Sequence, residues 1–163
     1  MIKKICFVLV IAFSVLKIQA QTPEMNLGKG YKAVYTPPSG WVKGGEYNGT
    51  YTFYTSDSKY SISVNTKWIQ DRTAREILDK SVSGLKLFNC KNESYKTDNI
   101  LAEAKICEVN VGPRREGRIW MVLFYKDAMN AIEVEVLCQE MTPEMEKKIK
   151  QSIENIKYTD PKS

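Results

Sequence analysis

The chain contains no histidine among its 163 residues. That absence removes the commonest general base and the commonest transition-metal ligand. It also removes every Ser-His and Cys-His nucleophile arrangement. The four cysteines stand far apart and lack the paired spacing of a zinc site. No Walker-type phosphate loop occurs, and Gly28-Lys29-Gly30 falls far short of one. There is no internal repeat and no low-complexity segment. Long apolar runs are confined to the N-terminus. From these absences no metal and no cofactor is expected.

The N-terminus reads as a secretory signal peptide over residues 1–20. Lys3 and Lys4 precede the apolar run 5–16, and Ala20 supplies a small residue at the exit. The run is too short for a bilayer, which needs roughly 20 apolar residues. Cys6 lies inside the run, so a lipid-modified cysteine at a new N-terminus is not expected. Cleavage after Ala20 removes Lys3, Lys4 and Lys17 and no acid, so the formal charge falls from +5 to +2. So small a charge gives no basic face for nucleic acid. The expected product is exported, periplasmic or extracellular, with no stable membrane anchor. It is one domain in size and long enough to bury a core without staples.

What remains is organised around residues 117–140. Ile119 to Tyr125 is apolar or aromatic throughout, as a strand covered on both faces is. Ile132, Val134, Val136 and Cys138 then alternate with Glu133 and Glu135, the pattern of a half-buried strand whose glutamates face water. The short stretch 127–130 should turn the two into an antiparallel hairpin.

Before this hairpin, residues 21–29 read as a flexible lead-in. Strands are expected at 31–35, 50–55 and 60–68, with 44–49 a flexible glycine loop. Thr73 to Lys86 places Ala74, Ile77, Leu78, Val82 and Leu85 at helical spacing, and Thr73 with Glu76 fits a capping box. Strands follow at 87–95 and 100–111. After the turn 112–117 and the central hairpin, Thr142 and Pro143 open a second helix. Its apolar face is Met145, Ile149, Ile153 and Ile156, with Lys147, Lys148 and Lys150 toward water. The domain is expected over 30–159, with a polar tail at 160–163.

A tight turn at Asp98-Asn99 makes directly opposed residues of the flanking strands sum to 197. Cys90 and Cys107 meet that sum. They fall at a non-hydrogen-bonded pair, where alpha carbons approach to about 4.5 Å, within reach of a disulfide. In an oxidising compartment the expectation is a Cys90–Cys107 bridge, with Cys138 a buried thiol outside it; the plainer alternative is that all three are small core residues.

The sum of these elements is an α+β chain, an antiparallel sheet of about six strands with helices on both faces. It resembles the PsbP-like family of α/β/α sandwiches, which includes photosystem II lumenal subunits, Ran-binding import factors and bacterial envelope proteins of the DcrB type. The resemblance rests on Pro38-Ser39-Gly40-Trp41 after the first strand, on the strand Tyr60-Ser61-Ile62-Ser63-Val64 before a helix, and on the helix from Thr142-Pro143 to Asn155-Ile156-Lys157-Tyr158. It implies a non-catalytic binding or assembly role and assigns no site residue.

Two candidate contact sites come from the residues themselves. Arg114, Arg115 and Arg118 form a cluster whose guanidinium forks suit an acidic partner or anionic headgroup; a solvated turn beside Glu116 is the plainer alternative. Tyr47, in the loop between Trp41 and Tyr51, is a second partner-binding candidate, whereas Trp41 is expected to pack over the sheet edge. Asn48-Gly49-Thr50 and Asn92-Glu93-Ser94 match glycosylation acceptors, relevant only in a eukaryotic secretory route. The function expected is a non-catalytic exported binding or assembly factor acting on another envelope protein. The alternatives are a small-ligand carrier and a histidine-free envelope hydrolase.

Overall fold

The computed structural model describes residues 22–70, 72–96, 100–111, 114–125, 130–138, 140–159 and 161, with the backbone alone at 100 and 110–125. The expected signal peptide and most of the expected tail lie outside the described residues. In chain order the elements are β1 Glu24–Gly28, β2 Tyr31–Val34, β3 Val42–Tyr47, β4 Thr50–Tyr54, β5 Tyr60–Trp68 and α1 Ala74–Val82. Then come β6 Leu87–Lys96, β7 Ile100–Val111, β8 Arg114–Tyr125, β9 Asn130–Cys138, α2 Pro143–Glu154 and β10 Lys157–Thr159. The strands form a seven-stranded antiparallel sheet, β3-β4-β5-β9-β8-β7-β6, and a three-stranded sheet, β1-β2-β10.

The large sheet is a set of hairpins laid side by side. β8 and β9 pair antiparallel from Gly117 opposite Cys138 to Phe124 opposite Ala131. β9 pairs on its other side with β5 along the whole of Tyr60–Trp68. Because side chains alternate across a strand, this register sorts the sheet into two faces. One face carries Phe53, Ile62, Val64, Ala102, Ala104, Ile132, Val134 and Val136, all within 2% of full burial. α2 covers it with Ile149 and Ile153, Ile156 follows just past the helix end, and the small sheet adds Met25, Leu27, Ala33 and Tyr35. α2 starts where the sequence places it: the Thr142 hydroxyl accepts from Met145 N, and Pro143 opens the first turn beside Glu144 and Glu146.

α1 lies on the other face, over β7 and β8. Its capping box is complete. The Thr73 side chain accepts from Glu76 N, and the Glu76 carboxylate accepts from Thr73 N at 2.8 Å. The helix seats Ala74, Ile77 and Leu78 on Ile69 and Ala131. It ends at Val82, short of the expected Lys86. Ser83 leaves the helical conformation and Gly84 takes φ +86°, so Leu85 falls outside the apolar stripe and is 43% exposed.

Several expectations need correction. The described strands number ten in two sheets, where about six in one were expected. Residues 24–28 of the expected lead-in are β1, because Met25 and Leu27 alternate into the core. The expected glycine loop after Trp41 is β3, paired with β4 and bulged between Lys43 and Gly45. β10 adds a strand where only the end of a helix was foreseen. The region of β8 that was to be covered on both faces has its side chains outside the described part.

Candidate functional site

The arginine candidates are not gathered on a turn. Arg114 and Arg115 open β8, in register with Val111 and Asn110 of β7, and Arg118 stands opposite Cys107 and Leu137. The turn expected at 112–117 is therefore corrected to a strand start, with Gly112 and Pro113 outside the described residues. The described pairing between β8 and β9 begins only at Gly117. Arg114–Glu116 thus runs past the sheet as a ribbon, with β7 on one side and no described strand on the other. The side chains of the three arginines lie outside the described part.

Tyr47 ends β3, which is an edge strand, and is 78% exposed. Asn48 (φ +48°) and Gly49 (φ +74°) make the two-residue turn that carries the chain into β4. Two left-handed residues in succession are the geometry an Asn-Gly pair supports. That dipeptide was the signal able to identify β3 as a strand from sequence. Trp41, expected over the sheet edge, is 5% exposed and packs in the core.

The structure does not unite the two candidates. The row that contains Arg118 runs through Leu137, Ser61 and Tyr54 to Val42, at the opposite end of β3 from Tyr47. Four strand spacings of about 4.8 Å separate β3 from β8.

Several ionisable groups elsewhere pair with one another. Under α1, Glu133 is 3% exposed, which corrects the expectation that it faces water. Lys67 Nζ reaches it at 2.8 Å and Ser81 Oγ donates to it at 3.3 Å. Beside it Arg75 pairs with Glu103, and Lys105 with Asp79 at 2.5 Å. At the β6 edge, Lys150 pairs with Glu146 at 2.7 Å and Glu93 at 3.1 Å, and lies 5.2 Å from the centre of the Tyr95 ring. Lys150 is therefore a clamp between α2 and β6 rather than a residue facing water.

Protonation follows from these contacts. Partial burial works against the Lys150 charge, but its bonds to Glu146, Tyr95 and Glu93 outweigh this and raise its pKa above the usual lysine value. The hydrogen bond from Tyr95 holds the Glu93 carboxyl below its ordinary value against the effect of burial. Burial, then the bond to Glu93, pushes Tyr95 up to about 12. Each shift favours the state already present at neutral pH, so none of these groups is poised to exchange a proton there.

Cys90 and Cys107 form a disulfide with alpha carbons 4.2 Å apart. From Lys91–Ile106 to Lys96–Leu101 the opposed residues of β6 and β7 sum to 197, and the register shifts between Phe88 and Lys91. The bridge thus stands where the bulge begins. Cys138 is buried outside the bridge.

Among the described residues no group of three or more Cys, Asp or Glu is placed to hold a metal. No described helix is long and apolar enough to cross a membrane.

No family model matches the sequence, and no curated protein matches it. Solved structures do. A protein of Bacteroides thetaiotaomicron superposes with TM-score 0.58 at 11% identity, over 88% of this chain and 50% of its own. This chain therefore spans half the length of that relative. LpqN, involved in cell envelope biogenesis of Mycobacterium tuberculosis, superposes with TM-score 0.58 at 9% identity, over 86% of this chain and 91% of its own. The cyanobacterial PsbP of Synechocystis sp. PCC 6803 superposes with TM-score 0.50 at 15% identity, over 85% and 92%. The fold is that of the PsbP-like proteins, an α+β sandwich. At these identities the likeness concerns fold alone.

Proposed function

We propose that this chain is a non-catalytic binding or assembly factor of the cell envelope, exported by its first 20 residues and acting on another envelope protein. The observation that carries the reading is the β7–β8 ribbon. Arg114 and Arg115 stand on backbone that runs past the described end of β9, with no described strand on that side. An open edge accepts a partner strand by main-chain hydrogen bonds, and arginine there suits an acidic partner. LpqN, which shares the fold, is involved in cell envelope biogenesis. Tyr47 adds an exposed aromatic at the other edge. The matched ion pairs described above favour binding over proton-transfer chemistry, and no described cluster favours the carrier or hydrolase reading.

The test is affinity capture from native envelope extract with the exported protein, beside an Arg114→Ala, Arg115→Ala, Arg118→Ala variant and a separate Tyr47→Ala variant. A stoichiometric protein partner lost in the arginine variant supports the reading and its site. A partner kept there but lost with Tyr47→Ala moves the site to the β3 edge. No partner with either protein contradicts the binding reading.

A further inference from the structure

β3 is one edge of the seven-stranded sheet. It carries two of the five large apolar side chains that the described surface exposes, Val42 at 44% and Tyr47 at 78%. Gly44 and Gly45 between them are exposed as well. α1 contacts β7 and β8, and β1 contacts β5 and β9, so these covering layers sit inboard of β3. The backbone N–H and C=O groups on its outer side have no described partner strand. The opposite edge, β6, differs: its Glu93 is already held by Lys91 and Lys150. Lys43 and Glu46 of β3 form no ion pair with a described residue.

The strand Val42-Lys43-Gly44-Gly45-Glu46-Tyr47 is complementary to itself when reversed. Laid antiparallel on a second copy, Val42 meets Tyr47, Lys43 meets Glu46 and Gly44 meets Gly45. A two-fold axis perpendicular to the sheet leaves each face where it is, so opposed residues must already share a face. In a regular strand, residues an odd number of positions apart do not. The bulge between Lys43 and Gly45 adds the residue that brings them round. Lys43 stands opposite Phe53 and Glu46 opposite Tyr51, on one face; Val42 stands opposite Tyr54 and Tyr47 opposite Thr50, on the other. Lys43 Nζ also lies 5.5 Å from the centre of the Tyr51 ring, on the side that Glu46 shares. A bulge ordinarily blunts an edge; here it makes the edge self-complementary. At the axis the glycines let two backbones approach with no side chains between them.

We infer that β3 pairs with β3 of a second copy of this chain, joining two sheets edge to edge about a two-fold axis between Gly44 and Gly45. The interface is isologous, so each contact occurs twice. On one face Lys43 meets the partner's Glu46, and Glu46 meets the partner's Lys43, an alternating ring of four charges. On the other face Val42 packs on the partner's Tyr47. Main-chain bonding alone would accept any strand; the two side-chain rows select this one. The inference goes beyond the arginine site to a separate surface, and purified protein alone tests it.

Sedimentation equilibrium of the exported protein, from about 5 µM to about 500 µM, should show a monomer–dimer equilibrium, since a single edge contact is a small interface. Lys43→Glu and Glu46→Lys each set like charges against one another and should weaken dimerisation at least about tenfold. Mixed in equal amounts, the two variants should recover it, because each then meets the opposite charge at both positions. Both side chains are at least partly exposed, and equal melting temperatures in dilute solution check that the variants keep the fold. A monomer at every concentration, a dimer indifferent to the single variants, or a mixture that stays monomeric would overturn the inference.

Discussion

The two faces of the seven-stranded sheet are built from alternate residues of the same strands, yet their described side chains differ in polarity. Under α2, Ile62, Val64, Ile132, Val134 and Val136 are fully buried against Ile149 and Ile153. Under α1, the next residues along, Glu133, Glu103 and Lys105, meet Lys67, Ser81, Arg75 and Asp79. Apolar burial is non-directional and contributes about 25 cal/mol for each Å² removed from water. Buried ion pairs spend most of their attraction on lost hydration. Among the described side chains the larger apolar cluster lies under α2, and Ala74, Ile77 and Leu78 form a smaller one with Ile69 and Ala131 under α1. α1 lies over β7 and β8, and among the described residues the β3–β5 side chains of that face are at least partly exposed.

The largest expected effect strikes the α2 face. Ile153→Ala removes a buried side chain from close packing and should cost about 2–5 kcal/mol; denaturant unfolding at constant slope measures it. Next comes the bridge. A Cys90→Ser, Cys107→Ser variant loses a cross-link that spans 17 residues and should be less stable by about 3 kcal/mol, read the same way under non-reducing conditions.

A pair of variants at Glu133 sharpens the contrast. Lys67→Ala leaves a buried carboxylate with Ser81 as its remaining described contact, and should cost about 1–3 kcal/mol. Glu133→Leu removes the buried charge while Lys67, 39% exposed, turns to water; it should be near neutral. Equal losses in the two thermal melts would contradict a polar α1 face.

The smallest effect is in pH. Bonding from Tyr95 lowers the folded pKa of Glu93 below its ordinary value near 4.5. A carboxyl lowered in this way adds stability that is present above that value and is lost as pH falls through the folded pKa. Melts between about pH 5 and pH 3 should lose this contribution in the native chain and lack it in Glu93→Gln. Parallel curves for the two proteins would remove the α2–β6 clamp from the account.

Local rules made much of this fold legible. Thr73 with Glu76 marked the start of α1, and Thr142-Pro143 that of α2, because caps are decided within one turn. The alternation of Ile62 and Val64 marked β5. The sum of 197 matched the β6–β7 register up to the bulge. What escaped depends on pairing at a distance. β1 and β10 are short, and both acquire their place from β2. Glu133 alternates like any exposed glutamate; only Lys67, 66 positions away, and a helix on that face make it internal. Lys150 was read from helical spacing alone, while Glu93 and Tyr95 on a distant strand decide its position. The candidate site was legible as residue types, Tyr47 and three arginines. Its geometry was not, because Asn48-Gly49 was read as a flexible loop rather than a hairpin turn.

Native-state amide hydrogen exchange tests the difference between the faces most directly. The account predicts that amides of α2 and of the β5–β9 ladder open only near the global unfolding free energy, while those of α1 open at clearly lower cost. Equal protection of Ala74–Val82 and Pro143–Glu154 would contradict it.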